Sequence, residues 1–282
     1  MDSKITGGKT TFLFNKKILG KHDVNYYCCD DTGYIQTTEP YWLEEAYSNA
    51  ITKLDVGLVL RNQNISLVAE NILTQHFNHN SKFLDYAGGY GLFTRMMRDK
   101  GFDFYNTDKF CENIFAEFHD LNLLPANNKF ELITAFEVLE HLSEPFTVLD
   151  EIFTFSENLF FTTEIIPADK NELENWWYLS LETGQHVAFY SIKSLEYIAK
   201  KYNKYFYTNS KWLHLFTDKK LEINPFDYLT FKPKENYFIR KARRILNRFY
   251  LKNNLNFKNN KISLIESDWL DAKKRIDRKS VV

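Results

Sequence analysis

Apolar runs broken by glycine, proline and acidic residues divide the chain into alternating strand and helix candidates. Lys82-Phe83-Leu84-Asp85-Tyr86 and Phe130-Glu131-Leu132-Ile133-Thr134-Ala135-Phe136 are nearly continuous apolar stretches, the pattern of parallel strands covered on both faces. Phe102 to Asn106, Ala116 to Leu121 and Leu159 to Thr163 read as further strands. Helical segments follow from Leu58 to about His76, directly after Gly91, and from a Ser191 cap to about Tyr202, where Leu195, Ile198 and Ala199 share an apolar face. Tyr205 to Thr208 and Trp212 to Thr217 predict an antiparallel hairpin. The alternation predicts an α/β protein with a doubly wound sheet.

The flanks differ from this body. Thr11 to Leu19 and Tyr26 to Gln36 alternate around a Gly33 turn and predict a small hairpin. Pro40, followed by Glu44 and Glu45, opens a helix that runs to Ile51. Beyond Pro233, Tyr237 to Leu251 reads as a basic amphipathic helix and Ile262 to Ile276 as another. The predicted organisation is an N-terminal module with a lid helix at 1–57, a ligand-binding domain at 58–220 and a basic helical extension at 221–282.

Composition adds limits to this reading. A chain of 282 residues that is 44% hydrophobic and 17% aromatic can bury a sizeable core, which excludes disorder. The net charge of -1 conceals an asymmetry, with 15 Lys and Arg against 7 Asp and Glu in residues 221–282, leaving 21 against 30 before them. An acidic body argues against a polyanionic partner such as nucleic acid. The basic tail reads as a solvated helix packed on that body, with a protein or peripheral membrane contact as the alternative. Three cysteines, two of them adjacent, point to a reducing, cytoplasmic compartment, and no apolar run reaches the roughly 18 residues of a membrane span.

The candidate chemistry centres on Asp85-Tyr86-Ala87-Gly88-Gly89-Tyr90-Gly91, a strand, a glycine-rich turn and a helix start, with Asp108 ending the next strand 17 residues beyond Gly91. Glycines there let backbone approach a nucleotide-like ligand, and an acid at that distance suits ribose hydroxyls. The segment resembles motif I of the class I S-adenosylmethionine-dependent methyltransferases, acidic-x-Gly-x-Gly-x-Gly, with Ala87 in place of the first glycine, where it excludes a positive φ. That resemblance implies a Rossmann-like seven-stranded sheet with a closing hairpin and S-adenosyl-L-methionine as cofactor. It assigns cofactor contacts to Asp85, Ala87, Gly88, Gly89, Gly91 and Asp108, to Asp120 and Leu121 at the adenine, and to Arg61 at the methionine carboxylate.

Glu137-Val138-Leu139-Glu140-His141-Leu142, followed by Pro145, resembles the E-x-x-E-H-L motif of a methyltransferase branch that includes quinone, sugar and small-molecule enzymes. It implies Glu137 as a cofactor contact near the sulfonium and His141 as a catalytic residue facing the cleft. Glu137, Glu140 and His141 with His186 also resemble the metal set of small-RNA 2′-O-methyltransferases, but the expectation is a metal-free site. The stretch around Cys28 and Cys29 is similar to half of the zinc ribbon found ahead of sugar methyltransferases, with too few ligands for zinc.

His186 is the expected base, because an unperturbed imidazole titrates near working pH. Tyr41, Trp42, Tyr47, Trp176, Trp177 and Tyr190 are the expected acceptor-binding aromatics. These readings converge on O-methylation of a small-molecule acceptor, a sugar or sugar nucleotide of surface glycan synthesis. Sugar C-methylation, metal-dependent RNA 2′-O-methylation and a non-catalytic scaffold are the alternatives.

Overall fold

The computed structural model describes residues 1–47 and 55–227, together with Leu264, Ser267 and Asp268. Strands β1 (Thr10–Ile18) and β2 (His22–Cys29) form a hairpin that turns through Leu19 and Gly20, both at positive φ. A second turn through Gly33, φ 73°, leads into β3 (Ile35–Thr37). Helix α1 covers Leu43–Ala46, and the predicted lid helix from residue 48 onward lies outside the described residues. Helix α2 (Leu58–His76) then leads to β4 (Lys82–Tyr86), α3 (Leu92–Asp99) and β5 (Asp103–Thr107). The rest of the order is β6 (Leu132–Phe136), α4 (Pro145–Phe155), β7 (Leu159–Thr162), α5 (Lys170–Glu174), β8 (Ala188–Phe189), α6 (Ile192–Lys201), β9 (Tyr205–Thr208) and β10 (Leu213–Thr217).

The main sheet runs β5-β4-β6-β7-β10-β9, with its first four strands parallel and β10 antiparallel to both neighbours. Strand pleating sends alternate residues to opposite faces. Leu84, Ile133 and Phe161 therefore pack with Leu149, Ile152 and Ile198 on one side, while Phe83, Leu132 and Phe160 pack with Ile65, Ile72 and Met97 on the other. Six strands form this sheet among the described residues, not the seven expected.

The segment Ala116 to Leu121, read from sequence as a strand, contributes a single parallel bridge between Asn106 and Asp120. Phe118 sits at φ 71°, and the Asn113 amide bonds the Ala116 carbonyl and the Asp120 carboxylate. Those bonds satisfy the segment locally and fold it as a turn, ending in a 3-10 helix at Leu121–Leu123.

β1, β2 and β3 form a second sheet, which β8 completes: Ile35 pairs with Phe189 and Gln36 with Ala188. This sheet therefore crosses the division expected at 57/58. The predicted tail helix Tyr237 to Leu251 lies outside the described residues, as does most of Ile262 to Ile276. Asp268 is described, and it bonds Arg98 at 2.7 and 2.8 Å and Arg95 at 2.9 Å on α3. Among the described residues no helix is long and apolar enough to cross a membrane.

Candidate active site

The carboxyl ends of β4, β5 and β6 open onto a cavity of about 1050 Å³. Register builds its floor, since Asp85 on β4 stands opposite Asn106 on β5 and Thr134 on β6. The Thr134 hydroxyl donates to the Asp85 carboxylate at 2.7 Å, and Thr94 on α3 donates from 3.4 Å. Burial, with Asp108 nearby, pushes the Asp85 carboxyl up to about 7 against the opposing effect of those hydroxyls.

The glycine-rich turn folds over that carboxylate. A Cβ on Gly88 would stand 2.1 Å from the Asn106 Oδ1 and 2.3 Å from the Asp85 Oδ2, and one on Gly91 would stand 2.0 Å from the Asn113 Oδ1. These two glycines are thus required by the protein's own side chains beneath the loop. Gly91 caps α3 in the left-handed conformation and is not a lining residue. Gly89 donates its N–H to Asp108 at 2.9 Å, and Asp108 also accepts from Phe110 and Cys111. Ala87 lies at φ 54°, which corrects the expectation that alanine excludes a positive φ. Glu137, directly after β6, has the same φ, so β4 and β6 both leave the sheet through a strained non-glycine residue at the cleft. Its backbone N–H bonds the Thr162 hydroxyl, which donates in turn to its carboxylate at 2.7 Å.

Behind Glu137 lies a polar cluster. The Tyr178 hydroxyl donates to Glu140 Oε1 at 2.6 Å, while the fully buried Oε2 has no partner. Burial and the charge of Glu137 hold the Glu140 carboxyl well above its ordinary range. His186 Nδ1 lies 2.7 Å from the Tyr178 carbonyl, and His141 Nδ1 lies 3.1 Å from the Gln185 carbonyl and 3.0 Å from the Tyr47 hydroxyl. A carbonyl only accepts, so both histidines carry their proton on Nδ1 and present a bare Nε2. Burial lowers His141 to about 4, and burial with the neighbouring His141 lowers His186 to about 3. The reason given for His186 as base, an unperturbed pKa near working pH, therefore does not hold. The two rings are 4.8 Å apart and nearly perpendicular. One ligand atom each from Glu140, His141 and His186 lies within 4.8 Å of the others.

Of the sequence-predicted residues, Arg61, Asp85, Ala87, Gly88, Gly89 and Asp108 line the cavity, as do Glu137, His141, His186, Tyr47 and Trp177. Arg61 is already held by Asp55 in a bidentate pair at 2.7 and 3.0 Å. Asp120 and Leu121 are not lining residues; Asp120 instead braces Asn113 under Gly91.

Four of the six predicted acceptor aromatics also stand elsewhere. The Trp42 indole donates to the Gly184 carbonyl at 2.7 Å inside the N-terminal core, where Trp176 is also buried. The Tyr190 hydroxyl donates to the Leu139 carbonyl and its ring packs on Tyr34. Tyr41 is exposed beside His22. Tyr178, read from sequence with Trp176 and Trp177 as a stacking aromatic, instead donates to Glu140, while Gln185 and Thr162 were passed over as site residues. The signal available was a hydroxyl or amide inside an otherwise apolar stretch.

Residues 60–205, just over half of the chain, match the family described as a methyltransferase domain. The chain belongs to this family of S-adenosylmethionine-dependent methyltransferases. Curated protein sequences give no match. Solved structures similar to it include an O-methyltransferase family 2 protein of Planctomyces limnophilus in complex with apigenin, at 14% identity and a TM-score of 0.41 over 57% of this chain and 61% of that one. An O-methyltransferase family protein of Burkholderia thailandensis matches at 11% identity and a TM-score of 0.45, over 66% of this chain and 65% of its own. A S-adenosylmethionine-dependent methyltransferase of Thermotoga maritima matches at 11% identity and a TM-score of 0.41, over 58% of this chain and 92% of its own. The matched stretch thus spans less than two thirds of the Planctomyces and Burkholderia chains.

Proposed function

We propose that this protein methylates a hydroxyl of a small polar acceptor, a sugar or sugar conjugate, with His186 taking the hydroxyl proton. The observation that carries the reading is the His186 ring, fixed through Nδ1 by the Tyr178 carbonyl so that its unprotonated Nε2 serves the cavity bounded by the glycine-rich loop. S-adenosylmethionine supplies the methyl group on a positively charged sulfur.

The residues present fit that group. The cavity is large enough, and Asp108, whose Oδ1 accepts from Phe110 and Cys111 and whose Oδ2 accepts from Gly89, keeps one Oδ2 lone pair for a hydroxyl donor. Asp108 and Gly89 would hold the ribose end, and Arg61 the carboxylate. A base held near pKa 3 is a weak acceptor in the resting site. The Tyr178 carbonyl at Nδ1 works against this, since it accepts from the ring and favours its charged form.

His186→Gln should lower turnover by about two to three orders of magnitude in a labelled-methyl transfer assay against a glycoside panel, with S-adenosylhomocysteine affinity preserved. An unchanged turnover removes His186 as the base.

A second reading has an observation of its own. Glu140, His141 and His186 offer two nitrogens and an oxygen within 4.8 Å, and Glu140 Oε2 is buried and unpartnered. Such a donor set suits a divalent cation that would lower the pKa of an acceptor hydroxyl. Metal content of the purified protein, with activity lost to a chelator and restored by magnesium or manganese, distinguishes the two readings.

A further inference from the structure

Eight carboxyl side chains line the cavity against two cationic ones among the described residues. Each cation has a carboxylate beside it. Arg61 is clamped by Asp55 through Nη1 and Nη2 and in the reading above is assigned to the donor's carboxylate, while Lys109, an exposed side chain, lies 3.9 Å from Glu151. Glu144, another lining residue, pairs with Lys4. Glu44, Glu182 and Asp108 line the cavity without a salt bridge among the described residues, while Asp85 and Glu137 line it as buried carboxyls whose charge burial opposes.

Phosphate recognition draws on Arg forks, Lys ammonium groups or backbone N–H clusters, and here the lysines and the arginine face carboxylates. A phosphate brought into this cavity would lose its hydration against like charge and, among the described residues, meet as cations only Arg61 and Lys109, each beside a carboxylate.

The apolar part of the lining points the same way. Phe110 and Trp177 are 67% and 72% exposed. Phe110 lies flat on Tyr47 with ring centroids 5.2 Å apart and planes at 9°, and Trp177 stands edge-on to Tyr178. Exposed aromatic faces beside carboxylates match a ring that is apolar on its C–H face and rich in hydroxyl donors at its rim.

We infer that the acceptor is an uncharged, hydroxyl-rich ring, a free sugar or the sugar terminus of a glycan, and that its phosphorylated and nucleotide-activated forms are rejected. This rests on the methyltransferase reading above and narrows its acceptor. The cavity selects by repelling the wrong charge as well as by contacting the right surface.

The test is calorimetric titration of the full chain loaded with S-adenosylhomocysteine, at low ionic strength. The ligands are methyl glycosides of common hexoses, each matched with its sugar 1-phosphate and its uridine diphosphate conjugate. The expected result is at least tenfold tighter binding of the uncharged member wherever binding is seen, with the ratio shrinking as salt is added. Glu44→Lys with Glu182→Lys, both exposed positions, should narrow that ratio at least threefold while leaving S-adenosylhomocysteine affinity unchanged. A phosphorylated member binding as well as or better than its partner overturns the inference, and so does a panel in which no sugar binds. Failure of S-adenosylhomocysteine itself to bind strikes the donor reading instead.

Discussion

At the scale of single residues, the cleft depends on small groups held against their ordinary preferences. Gly88→Ala would drive a Cβ to 2.1 Å from Asn106 Oδ1 and 2.3 Å from the Asp85 carboxylate, both on buried side chains with little room to retreat. The expected outcome is destabilisation of about 2 kcal/mol and a loss of S-adenosylhomocysteine affinity of at least tenfold, read by denaturation and calorimetry. Wild-type affinity in that variant would show that the loop tolerates a shift. His214, away from the cleft, isolates the effect of a buried neutral imidazole. It bonds the Thr163 carbonyl at 3.0 Å and the Thr208 hydroxyl at 2.9 Å, and burial lowers it to about 4. Its ordinary value is higher, so between about pH 6.5 and pH 4 the unfolded chain takes up a proton that the folded chain refuses. Stability from this residue is full above that window and drains away as pH falls through it. His214→Gln should therefore lose about 2 kcal/mol less stability than wild type between pH 7 and pH 4.5, and equal losses would contradict this. Much at this scale was legible: Asp85, Asp108 and Glu137 sit at strand ends where apolar runs stop at an acid. What could not be read was backbone strain at Ala87 and Glu137, or the fate of Trp42, Trp176 and Tyr190. Whether an aromatic ring faces a cleft or a core depends on partners distant in sequence.

At the scale of elements, β4, β6, β7 and the closing hairpin followed from continuous apolar runs and glycine punctuation. The stretch 116–121 shows the limit of that signal. It ends in an acid like its neighbours, yet the Asn113 side chain satisfies its backbone more cheaply than a sheet edge would. Helix α3 carries a feature that its own sequence conceals. Arg95 and Arg98 lie one turn apart on it and both bond Asp268, while Arg98 also reaches Asp103 and the Phe104 carbonyl. Burial opposes the charge on Asp268, but hydrogen bonds from Arg98 and Arg95 hold its carboxyl below the usual range. Asp268→Asn leaves the buried Arg98 guanidinium with Asp103 as its one carboxylate among the described residues and should cost about 2 kcal/mol in denaturant unfolding. An effect under about 0.5 kcal/mol would mean that this part of the chain is a solvated appendage, as its basic composition alone suggests.

At the scale of the whole molecule, the two sheets meet on the strip that carries the candidate base. Val187 donates its N–H to the Glu140 carbonyl at 2.8 Å, and Ala188 and Phe189 then add a fourth strand to the N-terminal sheet. His186 thus immediately precedes a bond to one body and a ladder to the other. Composition and periodicity assigned the first 57 residues to a separate module, because nothing in a two-residue strand 150 positions away announces its partner. Cutting the protein at that boundary would unzip the edge that keeps the imidazole in place. A shortened chain starting at α2 could keep its glycine loop and still be unable to choose where a proton goes. Amide exchange should report the same dependence, with residues 35–37 and 187–189 losing protection together.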